Sequence, residues 1–415
     1  MQNKLLSGSL KRLSFYDYAF KFVLIGFIVL VFGFAEAGLL PIATLLLMVM
    51  IFIGKWLNPS VFKINKLPIE LNLLNLWMLF SFFTGYFVAV DQAYFFDGMS
   101  KIFFYITIAN IIAILLLCRI ELINTIMLGI LLAGVVHVVA IYLGFGSDYA
   151  DRTGRAIGVT SNPNSLGLRM VYALAALLFF IIIRRTKIKY FIFYLILFVV
   201  FFKIILLSGS RKSLLAIVFF VLGFFSLFFT RNCIKIKIST IFIFILILAL
   251  MTIIMYFVLP VVLDGTAVGT RIEMGNDRGG VEGDIRYEMY LYSIELLANN
   301  PFAGVGINNF RSHFWSGQFS HSDYAESMSS TGVFGFILYQ SVYLIVLIRS
   351  LKLFFTVKDK IVRLYVGMAF LFIMMLKVIG TGIILFYSPG PLIILAMFSV
   401  LTMQIKKGRV CIIPA

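Results

Sequence analysis

Histidine and cysteine each occur only three times in this 415-residue chain, and charged residues make up just 13% of it. Each scarcity removes a class of protein. Cys118, Cys233 and Cys411 stand at segment ends or in the tail without ligand spacing, so neither a disulfide framework nor a zinc site is expected. The chain lacks HExxH and any histidine cluster, which argues against a bound metal. It lacks the glycine loop that ends in Lys-Ser or Lys-Thr, so it is not expected to consume a nucleotide itself, and it lacks GxSxG. No cofactor is implied. Acidic residues number 18 against 35 Lys and Arg, a formal net charge of +17. A soluble protein so basic would suggest nucleic acid, but the placement of these cations argues for membrane orientation and anionic lipid headgroups instead.

What the chain has in excess is apolar surface. Hydrophobic residues reach 62%, where soluble domains hold about half. Such a chain buries itself in lipid, where every backbone polar group must be satisfied within a helix or a closed barrel. Runs long enough to span, about 20 residues each, fall near 18–36, 39–54, 70–90, 99–118, 122–145, 163–183, 188–207, 212–230, 238–263, 331–349, 362–382 and 384–403. The fold class expected is therefore all-α: a polytopic membrane helical bundle of about twelve transmembrane helices, forming a single integral membrane domain over residues 1–415. No cleavable signal peptide is expected, because the first apolar run is followed almost at once by a second.

Charge sets the orientation. Every second connection is basic, from Lys4, Lys11 and Arg12 through Lys55, Arg119, Arg184, Arg231 and Lys358 to the tail Lys406, Lys407 and Arg409. By the positive-inside rule these connections and both termini are cytoplasmic. The opposite connections are short and acidic or mixed, such as AEAG and DQAYFFDG, except for one long external loop over 264–330, between the ninth and tenth spans. Within it Ile285, Met289, Tyr292 and Leu296 recur at helical spacing before Asn299, Asn300 and Pro301 stop the run. This amphipathic helix is expected to lie along the outer face of the bundle, apolar stripe down.

Cations at the outer end break the trend and so call for partners, because a cation in a membrane helix costs on the order of 3 kcal/mol. The tight turn SGSRKSLLAI presents Arg211 and Lys212 there. They either snorkel to lipid phosphates or, with arginine's planar fork, hold a bound polyphosphate. In TSNPNSLG, Asn162 can cap a helix that starts at Pro163, beside Arg152, Arg155 and Arg169. That helix N-terminus is either a routine cap or an anion site. His321, in SHSDYAESMSSTGVFGF, stands at the mouth of the tenth span on the same side. It is either a solvated loop residue or a general base able to deprotonate an alcohol, with Asp323 and Glu326 near enough in sequence to orient it. His137 lies within an apolar span and reads as a packing residue, and His313, beside Arg311, is a weaker candidate base. One candidate base, several arginines and a bilayer surface fit transfer from a lipid-linked pyrophosphate donor to a hydroxyl acceptor, with arginines stabilising the departing phosphates.

Taken in order, TSNPNSLG, SGSRKSLLAI, PFAGVGINNF and SHSDYAESMSSTGVFGFILY, with the external loop between the ninth and tenth spans, resemble the O-antigen ligase and polymerase superfamily of bacterial envelopes. The likeness is strongest over 150–345 and elsewhere is one of hydropathy. It implies a metal-independent, inverting, GT-C-like glycosyltransferase acting on undecaprenyl-pyrophosphate glycans at the periplasmic face of the inner membrane. By that resemblance Arg211 and Arg286 hold the pyrophosphate and His321 activates the acceptor hydroxyl, with Arg271, Arg278, Asp323 and Glu326 as helpers; Lys212, Arg155, Arg169 and Asn162 join the substrate-binding set from the charge and cap readings above. The partners implied are the undecaprenyl-pyrophosphate-linked oligosaccharide, membrane lipids and a chain-length regulator, and no nucleic acid. His-Ser-Asp-Tyr followed by Glu reads as a polymerase of O-antigen or capsule repeats, with the ligase that passes polymer to lipid A core as the alternative. A flippase or transporter would place its polar groups near the midplane, in matching broken helices, whereas here the charges crowd the outer end.

Overall fold

The computed structural model describes residues 2–34, 39–57, 66–147, 154–160, 162–183, 188–230 and 285–408. The expected span at 238–263, the opening of the long loop, Arg152, Arg271 and Arg278 lie outside them. The described residues are helical, with no strand among them. In order they form α1 (Gln2–Phe34), α2 (Leu40–Leu57), α3 (Ile69–Val88), α4 (Gln92–Cys118), α5 (Leu122–Tyr142), α6 (Pro163–Ile183), α7 (Ile188–Ser208), α8 (Arg211–Thr230), α9 (Ile285–Asn299), the single turn α10 (Phe310–His313), α11 (Asp323–Thr356), α12 (Lys360–Gly380), a 3₁₀ turn (Leu385–Tyr387) and α13 (Pro389–Lys406). Eight of the described helices, namely α1, α3 to α6 and α11 to α13, are long and apolar enough to cross a bilayer, and α2 and α7 carry shorter apolar stretches. Over the described residues the chain is all-helical, and its apolar helices are those of a multi-pass membrane protein.

Burial sorts these helices into two kinds. α6 and α13 are covered on nearly every face, from Pro163 to Ile182 and from Pro389 to Ile405, so a continuous apolar run rather than a stripe is what their surroundings require. α2 and α7 instead turn Ile42, Leu45, Phe52, Ile192, Phe193 and Ile196 outward, as helices solvated by lipid do. At the end of the bundle away from His321, Glu70 is fully buried against Arg349 at 2.6 Å, and Arg119 pairs with Asp17 at 2.5 Å. Charge at that depth is paired, as its desolvation cost demands.

Helix boundaries differ from the apolar runs at three places near His321, each for a local reason. α4 begins at Gln92 because the Asp91 side chain accepts from Tyr94 N at 2.9 Å; DQAYFFDG is thus mostly the first turns of a helix rather than a connection. α11 begins at Asp323, capped by Ser322, whose side chain accepts from Ala325 N, and so starts before the expected span at 331. The last helix starts only at Pro389, after the 3₁₀ turn, with proline in its first turn.

α11 is also broken. Gly332 has φ 66° and ψ −172°, so the ladder lapses there and the carbonyls of Ser329 and Ser330 lose their helical partners. The returning loop supplies replacements: Val305 N and Gly306 N donate to them at 2.9 and 3.0 Å, and Val333 N donates to Pro301 O at 2.7 Å. PFAGVG is thus the piece that completes a broken helix. Its glycine is required, since a Cβ on Gly304 would lie 2.5 Å from Ser329 O.

The apolar stripe of α9 finds a cover other than the one the sequence suggests. Met289 and Leu296 are buried against Val305, Phe310 and Phe314, with Ile285 and Tyr292 alongside. The loop folds back on its own helix and makes a small separate core, which rests on α11.

Candidate active site

Gly167 on α6 packs straight onto the turn between α7 and α8: a Cβ there would lie 2.7 Å from both Ser208 Oγ and Ser213 Oγ. The TSNPNSLG and SGSRKS motifs are therefore one structural unit. Arg155 ties it together, donating from Nε to Ser208 O at 2.9 Å and from Nη2 to Asn164 Oδ1 at 3.2 Å. Asn162 caps α6, its Oδ1 accepting from Ser165 N at 2.9 Å. Gly209 turns the chain at φ 62°, and α8 opens with Arg211, exposed, and Lys212, half-buried. Lys212 crosses to Gly382, close enough that a Cβ there would overlap its side chain, and donates to Thr381 O at 3.4 Å. Arg169 donates to Gly33 O near the end of α1. Arg155, Arg169 and Lys212 thus each reach carbonyls at or just beyond a helix C-terminus, where the dipole favours a cation. These carbonyls supply part of the negative potential that the sequence alone had sought in a bound anion.

His321 has φ 54°, a left-handed backbone that costs a non-glycine residue roughly 1–2 kcal/mol. Hydrogen bonds on both sides hold it there. Ser320 donates from Oγ and N to Glu326 Oε2 at 2.8 and 3.2 Å, and Ser322 caps α11. Ser330 donates to the other Glu326 oxygen at 3.4 Å. Such over-determined strain is typical of residues that a fold must aim. The imidazole is half-buried, and its pKa is lowered from the ordinary 6.5, first by burial and then by the charges of Arg286 on α9 and Lys212 on α8. At neutral pH it is an uncharged ring beside two cations.

Neither carboxylate hydrogen-bonds that ring. Glu326 is fully buried and its oxygens are held by Ser320 and Ser330. Asp323 is also fully buried. Its Oδ1 accepts from Tyr339 Oη and from Leu385 N, both at 2.9 Å, and its Oδ2 pairs with Lys377 at 3.3 Å. Lys377 in turn donates to Gln340 Oε1 at 2.5 Å and lies over the rings of Tyr324 and Tyr343 at 4.3 and 4.4 Å. Both acids shape the turn that carries His321 rather than the ring itself. Lys377 carried a sequence signal, a cation inside an apolar span; Tyr339, Tyr343 and Gln340 carried none, because Tyr339 meets Asp323 sixteen residues away across the break in α11 and Gln340 meets Lys377 from another helix.

The segment around Asn308 and Asn309 is pinned to the start of α4. Asn309 donates to Asp91 O at 3.1 Å and accepts from Asp91 N at 2.8 Å, while Asn308 donates to Tyr94 O at 2.7 Å. Arg311 stacks on the Tyr94 ring at 3.4 Å and on Phe319 at 4.9 Å, and its charge acts on Glu326. The site thus brings together His321, Arg286 and Lys212, with Arg211 next to Lys212 in the chain. Asp323 and Glu326 lie beneath; Arg155 and Asn162 sit in the adjoining turn, and Arg169 lies along α6.

No curated protein matches the chain. The family described as O-antigen ligase matches residues 196–340, a stretch that contains Arg211, Lys212, Arg286 and His321. This match spans the loop and turns that build the site, and over that stretch the chain is similar to the O-antigen ligase family.

Proposed function

We propose that this protein is a polymerase of O-antigen or a related surface polysaccharide. It transfers a glycan from an undecaprenyl-pyrophosphate donor to a hydroxyl of a lipid-linked acceptor repeat unit. The observation that carries the reading is the uncharged, backbone-strained His321 flanked by Arg286 and Lys212. A base and cations in one place are what this chemistry needs: one proton to remove and a diphosphate to release. The acceptor O–H gives its proton to the imidazole and its oxygen bonds to the anomeric carbon. The bond from that carbon to the phosphate oxygen breaks, and its electron pair leaves with undecaprenyl pyrophosphate, held by Arg286, Arg211 and Lys212. Attack opposite the leaving group inverts the anomeric centre, and no metal takes part. Cytoplasmic termini and a site on the opposite, periplasmic side belong to the same proposal and rest on the basic connections of the sequence. A GT-C-like architecture, the inner membrane and the assignment of Arg271 and Arg278 to the diphosphate rest on the resemblance to the O-antigen ligase and polymerase superfamily.

The test is reconstitution with purified lipid-linked repeat units. Wild-type protein elongates them without an energy source, and His321→Ala abolishes elongation while still binding donor. Elongation by His321→Ala at the parental rate would remove the base from this scheme. The description of the matched family favours a second reading, ligation of polymer to lipid A core. Lipids from cells lacking the protein separate the two: single repeats on core lipid fit the polymerase, and polymer left on the undecaprenyl carrier fits the ligase.

A further inference from the structure

Behind α9, on the side of the helix away from Arg286, lies an open cleft of about 350 Å³ bounded by Glu288, Leu291, Tyr292, Glu295, His313, Phe314 and Trp315. Its size falls within the range of small-molecule sites. Trp315 is the feature that most needs explaining, since its ring is 72% exposed, a costly placement for so large an apolar surface. It is nonetheless held in place: its indole N–H donates to Glu288 Oε1 at 2.8 Å and it packs on Phe314 at 5.6 Å. His313 Nε2, shielded from solvent, has no hydrogen-bond partner among the described residues. The backbone that carries His313 is fixed by Tyr292, whose hydroxyl donates to His313 O at 3.0 Å.

We propose that this cleft is a saccharide subsite, separate from the His321 site, that holds a sugar of the glycan undergoing transfer or extension. The inference rests on the glycosyltransferase reading above. A flat, fixed indole suits the C–H face of a pyranose, whose weakly positive hydrogens meet the negative face of the ring. Glu288 and Glu295 accept from sugar hydroxyls, and His313 lines the same cleft. The two carboxylates would repel a phosphate, so the cleft takes the carbohydrate rather than the diphosphate end of the substrate. Nor are Glu288, Glu295 and His313 arranged as a metal-ligand group. Glu295 lies roughly 13 Å along α9 from Arg286 at the rise of an α-helix, so one rigid element carries both sites and fixes their separation.

The test uses the full-length protein in detergent and, as probe, repeat-unit oligosaccharide released from the source cell's own lipid-linked precursor by mild acid and freed of lipid. Calorimetry is expected to give saturable binding to wild type and unchanged binding to His321→Ala. Affinity is expected to fall at least tenfold in Trp315→Ala and in Glu295→Gln, with Trp315→Phe in between. In elongation assays Trp315→Ala raises KM for the lipid-linked acceptor more than it lowers kcat. Wild-type affinity in both cleft variants, or no saturable binding to wild type, would overturn the subsite and leave the function standing if the same preparation elongates lipid-linked repeats. Binding by a preparation that cannot elongate them would instead count against the polymerase and leave the saccharide site in place.

Discussion

Replacing Asp323 by asparagine keeps the shape of the side chain and an oxygen for Tyr339 Oη and Leu385 N, but removes the charge that faces Lys377. The Lys377 side chain is only 13% exposed, and its remaining neighbours are an amide oxygen and aromatic faces. Breaking a buried pair from one side costs about 3–5 kcal/mol. With an unfolding entropy of about 2.1 cal/mol/K per residue, a chain this long converts that cost into a fall of roughly 3–6 °C in Tm. Asp323→Ala is expected to be worse by about 1–3 kcal/mol, because Leu385 N then loses its acceptor within a buried turn. Tyr339 is less affected, since Tyr343 Oη lies 3.0 Å away. The informative variant is the double replacement Asp323→Asn with Lys377→Met, which leaves no unpaired charge and is expected to recover most of the loss, to within about 1–2 kcal/mol of wild type. Thermal unfolding in one detergent, followed by tryptophan fluorescence for wild type, Asp323→Asn, Lys377→Met and the double variant, measures the coupling. If the double variant loses as much as the two single variants combined, the pair is not coupled and the account of this network fails.

The remaining predictions concern the turn itself. The depressed His321 pKa leaves the neutral base in place below pH 6.5, so the acid limb of kcat/KM is expected below that value and to move up in Arg286→Gln and Lys212→Gln; pH profiles of the three proteins check it. A bound diphosphate offsets the two cations, so the acid limb of kcat is expected at higher pH than that of kcat/KM. The same depression favours the folded state fully above pH 6.5, and this contribution fades as pH falls through the lowered value. Glu326→Ala frees the Ser320 donors and lets the strained His321 backbone relax, so kcat is expected to drop at least tenfold with little change in donor affinity, whereas Glu326→Gln retains an acceptor and much of the activity. Gly304→Ala would place a methyl 2.5 Å from Ser329 O at a φ of 67°, and is expected to destabilise the protein by more than about 2 kcal/mol; an unchanged Tm would refute the role given to PFAGVG.

Hydropathy was enough to find the helices, because lipid demands long apolar runs whatever their neighbours. Each expected span among the described residues has a helix in its place. Boundaries moved where a side-chain cap outweighed polarity: Asp91 carries α4 through charged residues, and Ser322 starts α11 ahead of its apolar run. The basic side of the bundle and the clustering of Arg155, Arg211, Lys212, Arg286 and His321 toward the other side were legible as charge placed against the usual bias. Which cation faces the histidine was not legible. Lys212 bears on the ring from α8 and Arg286 from α9, a meeting set by how the helices pack.

Composition and order thus determined that the chain is a membrane bundle with cations gathered against the usual bias near His321. Those properties follow from the cost of placing each side chain in lipid or water, which is local to the residue. Only the tertiary structure decided that Asp323 answers Lys377, that Glu326 clamps the His321 turn, and that PFAGVG repairs the break at Gly332. The first joins two helices, the second closes a helix back on the turn before it and the third joins a loop to a broken helix, and the energy of each depends on distances that no linear spacing encodes.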